Sequence, residues 1–439
     1  MKCVFGLCLG FYFLAAPAWG NSIRTERVVS PGGIEAWLIR DHRNPIISFR
    51  FAFRGGTALD PPGKGGLAAM VSSLLDEGAG DFDSMAFQKT LEDKAIHLGF
   101  ESEKDSFSGH LQTLTRNREE AFRMLKLALT VPRFDPEPVE RIRAQILIAL
   151  KRKKEDPHTL AANALFRSLF PNHPYGQPTD GSKNTVEKIS IKDMKDFIRK
   201  RFGRDNLVVA AVGDITPDVL NRLLDETFLG LPARAASWEL AKVDPVFSGK
   251  TQLIKKDIPQ STIMFADYGL TRGSPDFYAA LVMQHILGGG GFTSRLYSEV
   301  REKRGLAYSV YSSLYPFVAS GLTIGSAGTA NERVAKTLEV IQTEWKRMAT
   351  KGINESEVTD AKRHLTGSFP LRFSSSGRIA RMLVGMQLFN LGIDYFEKRN
   401  SYIDSVTSKD VKRVVKKLLN TRGLTIVVVG RPVGIPIHN

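Results

Sequence analysis

The sequence predicts an α+β protein made of two homologous domains from an internal duplication, each a mainly antiparallel sheet with helices packed on it. Three observations carry this expectation. First, both halves end alike: SIKDM at 190–194 leads through a basic helix to LVVAAVG at 207–213, and TSKDV at 407–411 leads through 412–419 to LTIVVVG at 424–430. The offset is 217 residues at Lys192/Lys409 and at Gly213/Gly430 (409 − 192, 430 − 213), so no gap intervenes. A period that long means duplicated domains rather than a solenoid. Second, about 419 residues follow an N-terminal leader, too many for one core and suited to two domains. Third, strands and helices mix without the strict alternation of a doubly wound sheet.

Residues 1–20 read as a secretory signal. Lys2 precedes an apolar run at 4–16, and Ala18, Trp19 and Gly20 put small residues at the cleavage subsites. A membrane anchor needs roughly 18 or more apolar residues, and this run is shorter and ends in Pro17 and Gly20. Nothing later is apolar for long enough to span a bilayer. The mature chain is thus expected to start at Asn21 and to be secreted, in the periplasm. Both cysteines, Cys3 and Cys8, fall in the signal, so the mature chain has neither disulfide nor thiolate metal ligand.

In the first domain, 21–231, the segments 28–41 and 46–53 read as two strands. The turn at Pro61, Pro62 and Gly63 precedes a helix at 66–75, and another helix follows at 84–94. A strand pair at 98–114 leads to several helices over 118–169. Residues 232–250 have little periodicity and two prolines, Pro232 and Pro245, and form the linker. The second domain, 251–439, echoes the first: helices begin after Asn117 and after Asn331 with apolar residues three and four apart. The formal charge is +15, or +14 without Lys2, and would favour acidic surfaces. The basic residues are dispersed among carboxylates, as in 192–204, and no nucleic-acid motif accompanies them. They read as a solvated face.

Taken in order, RGG at 54–56, PRFD at 132–135, HPYG at 173–176, GGGGFTSRLY at 288–297 and REKRGLAY at 301–308 resemble the pitrilysin-like (M16) zinc peptidases. That family includes insulin-degrading enzyme, the mitochondrial processing peptidase and shorter bacterial homologues. The resemblance covers essentially the whole mature chain. It implies a helix bearing H-x-x-E-H, where two histidines one turn apart hold Zn²⁺ and the glutamate activates water, with a third ligand, Glu, from a later helix. In GGLAAMVSSLLDEG at 65–78 those positions hold Ala69, Ser72 and Ser73, and the third-ligand position holds Ala149. Alanine offers no ligand atom, and a neutral hydroxyl suits zinc poorly.

No replacement chemistry is evident in the sequence. The eight histidines, His42, His97, His110, His158, His173, His285, His364 and His438, include no two spaced to share a helix face. Asp76 and Glu77 read as a polar helix end. There is no G-x-S-x-G nucleophile elbow, and Gly288, Gly289, Gly290 and Gly291 lack the Lys-Ser/Thr ending of a phosphate loop. That run reads either as a flexible turn after a helix at 277–287 or, by resemblance, as a substrate-contacting loop.

The resemblance further implies that Arg301 and Tyr308 reach toward peptide and zinc site from the second domain; Arg295, at a loop-to-helix junction, and Arg304, beside the turn at Gly305, read as structural. It therefore predicts a zinc-free subunit that binds unfolded peptides or short polypeptides for a separate H-x-x-E-H subunit, the zinc being in that partner. The alternative is a structural or peptide-binding pseudopeptidase with no part in proteolysis.

Overall fold

The computed structural model describes residues 24–419 and 423–435; the expected signal peptide lies outside the described residues. Eleven strands form two sheets among them. β1 (Glu26–Val29), β2 (Glu35–Arg40), β3 (Ile46–Arg54), β4 (His97–Ser102), β5 (Ser106–Leu114) and β6 (Leu207–Gly213) make a six-stranded sheet ordered β1-β2-β6-β3-β5-β4. β7 (Thr251–Lys255), β8 (Gln260–Tyr268), β9 (Ala307–Pro316), β10 (Gly321–Ala330) and β11 (Thr425–Gly430) make a five-stranded one ordered β7-β11-β8-β10-β9.

The second order repeats the first without β1. β2 pairs with β6 in parallel, as β7 does with β11, and the other pairings are antiparallel. The duplication visible at 190–213 and 407–430 is therefore a duplication of topology. The helices before β6 and β11 open on matching capping boxes, Ser190 with Asp193 and Thr407 with Asp410, in which each side chain satisfies the other's backbone N–H.

Period-two alternation makes each sheet two-faced. On β3, Ile47, Phe49, Phe51 and Phe53 enter the core beneath the first half's own helices, while Ser48, Arg50, Ala52 and Arg54 point the other way. That second face is covered by a helix from the other half. Helix Ser376–Leu388 lays Ala380, Leu383 and Val384 on Trp37, Ile39, Ala52, Val208, Ala210 and Val212. Reciprocally, helix Pro157–Leu169 of the first half buries Ala161, Leu165 and Leu169 against Met264, Ala266, Leu322, Val427 and Val429 of the second sheet.

Polar contacts fix this exchange. Arg54 donates to the carbonyls of Leu388 (2.5 Å) and Gln387 (2.7 Å), capping the C-terminus of the crossing helix, where a cation is favoured. The hydroxyl of buried Tyr175 donates to Asp105 (2.6 Å) and accepts from the Ala319 amide (3.0 Å), tying the β4–β5 turn to the β9–β10 turn.

Two expectations are corrected in detail. The stretch 28–41 is not one strand: it breaks at Pro31, Gly32 and Gly33 into β1 and β2, with Gly33 at φ +82°. The helix expected over 66–75 is helical only across Leu67–Ser72 and continues as turns. Residues 232–250 carry neither helix nor strand.

Candidate functional site

Ala69 and Ser72 lie on helix Leu67–Ser72, and Ser73 is its C-cap. Asp60 receives the N–H groups of Gly66, Leu67 and Ala68 at 2.8, 3.1 and 3.0 Å and so anchors the helix start. Both serine hydroxyls are turned back on their own helix: Ser72 Oγ donates to the Ala69 carbonyl at 2.8 Å and Ser73 Oγ to the same oxygen at 3.1 Å. Such back-bonding occupies both hydroxyls at the helix end.

Ala149 is an exposed residue of helix Pro136–Lys153. The neighbouring charges are committed elsewhere. Arg141 pairs with Glu77 (2.7 Å), and Arg143 donates to the carbonyls of Val186 (2.5 Å) and Ile189 (2.9 Å). Asp76 is half-buried, and that burial pushes its pKa up to about 6. The donor set at Ala69, Ser72, Ser73 and Ala149 does not fit zinc. Among the described residues no group of three or more His, Cys, Asp or Glu converges on a common point. His285 and His364, from different helices, do come together, with ring centroids 4.8 Å apart; burial pushes His285 down to about 4.

The second half holds a different arrangement. Helix Phe277–Gln284 continues as a π-helical turn, His285–Gly289, and a second π turn spans Tyr297–Glu302; such turns recur at functional sites. The glycine run is therefore not a uniform loop. Gly288 and Gly289 end the first π turn, and a Cβ at Gly288 would lie 2.2 Å from Ser312 Oγ and 2.8 Å from Ser312 N, so close packing on β9 demands glycine there. Gly290 passes into a short 3₁₀ turn beginning at Gly291, whose φ is +57° with open space around it.

Arg301 sits on the second π turn with its guanidinium 5.0 Å from the ring centres of both Tyr297 and Tyr308. Tyr308 is 79% exposed at a register shift of β9, where Gly328 pairs with Ser309 and Thr329 with Ala307. Phe292, 72% exposed, meets Tyr297 edge-on at 4.9 Å. The structure thus links Phe292, which follows the glycine run, to Tyr297, Arg301 and Tyr308 in one aromatic ladder, exposed at its Phe292 and Tyr308 ends, that finishes on edge strand β9. Phe292 and Tyr297 were not singled out in the sequence, although both stand within the GGGGFTSRLY motif.

Two other arginines are occupied structurally. Arg295 forms a two-point pair with Glu357 (2.7 and 2.7 Å), and Arg304 binds the Glu299 carboxylate (2.5 Å) and carbonyl (2.8 Å). Arg301 has no such carboxylate partner among the described residues. Stacked between rings, its N–H donors remain available for a carbonyl or carboxylate.

The profile described as Peptidase M16 inactive domain matches residues 188–365, which include the glycine run, Arg301 and Tyr308. The chain resembles the M16 peptidases. A crystal structure of a peptidase M16 inactive domain from Pseudomonas fluorescens superposes with a TM-score of 0.87 at 28% identity, covering 95% of this chain and 100% of that one. A non-peptidase homolog, YmxG, of Helicobacter pylori is 28% identical over 93% of this chain and 94% of its own length. An uncharacterized zinc protease of Mycobacterium tuberculosis is 32% identical over 65% of this chain and 66% of its own length. With no ligand side chains at the positions where those peptidases hold zinc, this chain is a non-catalytic M16-like pseudopeptidase.

Proposed function

We propose that this chain is the zinc-free subunit of a secreted, periplasmic M16-type metallopeptidase, binding unfolded peptide and positioning it for a separate subunit that carries H-x-x-E-H and the zinc. The observation that carries this reading is an asymmetry. The three ligand positions and the position of the water-activating glutamate hold Ala69, Ser73, Ala149 and Ser72, while the Arg301 guanidinium lies between Tyr297 and Tyr308 with no carboxylate partner among the described residues. Arg295 and Arg304 nearby are, by contrast, paired with carboxylates. β9 supports the reading further, because its free edge offers unpaired backbone groups to an extended peptide and its exposed Tyr308, Tyr311 and Tyr315 offer faces for side chains.

The test is co-expression with an H-x-x-E-H relative. The pair should cleave unfolded peptides where this chain alone neither cleaves nor takes up stoichiometric zinc. Arg301→Ala combined with Tyr308→Phe should lower cleavage by about tenfold or more while the assembly persists on size exclusion, the loss expected when charge-assisted contacts are removed. Unchanged cleavage in an intact assembly would favour the purely structural pseudopeptidase instead.

A further inference from the structure

The first sheet is wider than the helix that crosses it. Helix Ser376–Leu388 covers β2, β6 and the near side of β3 with apolar side chains, but the strip over β3, β5 and β4 is left polar. Ser48, Arg50, His110, Gln112 and Glu101 of the sheet, with Arg378 and Arg381 of the helix, enclose a cavity of about 500 Å³, a size typical of small-ligand sites.

Charge in this cavity is unbalanced. Arg50 is only 9% exposed and donates to Glu101 at 2.9 Å, so the one carboxylate lining the cavity is already engaged. Arg378 reaches only the Ser374 hydroxyl at 3.2 Å, and neither it nor Arg381 forms a salt bridge among the described residues. Arg381 nevertheless stands close enough to Glu101, Glu103 and His110 to act electrostatically on all three. The Nδ1 atom of His110 is sealed from solvent without a hydrogen-bond partner. Burial, reinforced by Arg50, keeps that imidazole below its ordinary pKa and therefore adds no further cation.

A half-enclosed site with two guanidiniums outside any salt bridge among the described residues, beside a buried third that Glu101 pairs, favours an oxyanion. Guanidinium binds carboxylate through paired donors, and the partial burial here strengthens the contact over one in bulk water. Two sources share that chemistry, a peptide's terminal carboxylate and a free inorganic oxyanion. We propose that the cavity bounded by Arg50, Arg378 and Arg381 receives the C-terminal carboxylate of a bound peptide. This rests on the peptide-binding reading above and adds to it a terminus anchor on the first half, apart from the Arg301 ladder on the second. Arg378 and Arg381 bind the carboxylate, and Arg50, paired with Glu101, forms the floor of the site.

The experiment measures fluorescence anisotropy of a short, unstructured, labelled peptide on the full chain, in two forms that differ only in a free-acid or amidated C-terminus. The free acid should bind about tenfold more tightly than the amide, the effect of one charge-assisted contact. Arg381→Ala and Arg378→Ala should abolish that difference without moving the thermal midpoint, since both side chains are exposed, and Arg381→Lys should restore part of it. Millimolar inorganic phosphate should weaken the free acid alone.

Equal affinity of acid and amide for the wild-type chain would overturn the anchor while leaving peptide binding in place. Phosphate binding that depends on Arg381, together with equal acid and amide affinity, would reassign the cavity to free anions and overturn the proposal. Failure of both peptides to bind would overturn the anchor and the peptide-binding reading together.

Discussion

At the scale of single residues, the glycine run separates packing from conformation. Gly288→Ala forces a methyl group into the backbone and side chain of Ser312, an overpacking that costs about 1–3 kcal/mol. Gly291→Ala meets nothing within 4 Å and pays only for its positive φ, about 1 kcal/mol. Urea denaturation should therefore rank Gly288→Ala as the more destabilised of the two. Asp60 gives a second residue-scale prediction. Burial pushes its pKa from 3.8 up to about 7, against the three N–H donors that favour the anion. Between those values the folded chain holds more protons than the unfolded one, so this contribution to stability is full below about pH 4, falls as pH rises and is gone above about pH 7. Asp60→Asn should remove that part of the pH dependence, and thermal midpoints recorded from pH 4 to pH 8 would expose a variant that keeps it. Neither effect follows from the sequence, because it gives no hint that Ser312 lies against Gly288 or that Asp60 is half-buried at a helix start.

At the scale of elements, the repeated helix starts at 190–194 and 407–411 were legible in the sequence, and the capping boxes that the structure shows there give them a local cause. The two boxes are independent copies, so Ser190→Ala and Thr407→Ala should each cost about 1 kcal/mol and the double variant close to their sum, measured by urea midpoints at neutral pH. A strongly non-additive double variant would mean that the two helix starts are coupled through the interface between the halves. Other elements were misread for physical reasons. The β1–β2 break carried a turn signal at Pro31, Gly32 and Gly33 that apolar alternation on either side concealed. Gly288 and Gly289 are helical because packing on β9 overrides poor helix propensity, a tertiary effect no local rule contains. Of the site, the missing ligands and the Arg301–Tyr308 pair were legible from motif order alone. The part played by Tyr297 and Phe292 was not, since ring stacking across a π turn depends on backbone geometry rather than on spacing.

At the scale of the whole molecule, the exchange of helices makes each half depend on the other. An amphipathic pattern states that a helix has an apolar face, but it does not state which sheet will receive it. Helix Pro157–Leu169 and helix Ser376–Leu388 each cover the sheet of the opposite half, so a half expressed alone leaves one apolar sheet face and one apolar helix face in water. Exposed contiguous apolar patches of this kind drive association. A chain divided within 232–250, where no helix or strand is cut, should therefore give two fragments that aggregate when made separately and copurify as one particle when made together. Leu165→Ala and Leu383→Ala, each truncating a fully buried side chain at one of the exchanged interfaces, should cost about 2–5 kcal/mol in the intact chain and weaken recovery of the divided one. The decisive measurement is size-exclusion chromatography of the separate fragments. If either half elutes as a soluble monomer with a cooperative melting transition of its own, the reciprocal helices are not what holds the molecule together. The duplication would then describe two self-sufficient domains rather than one interlocked body.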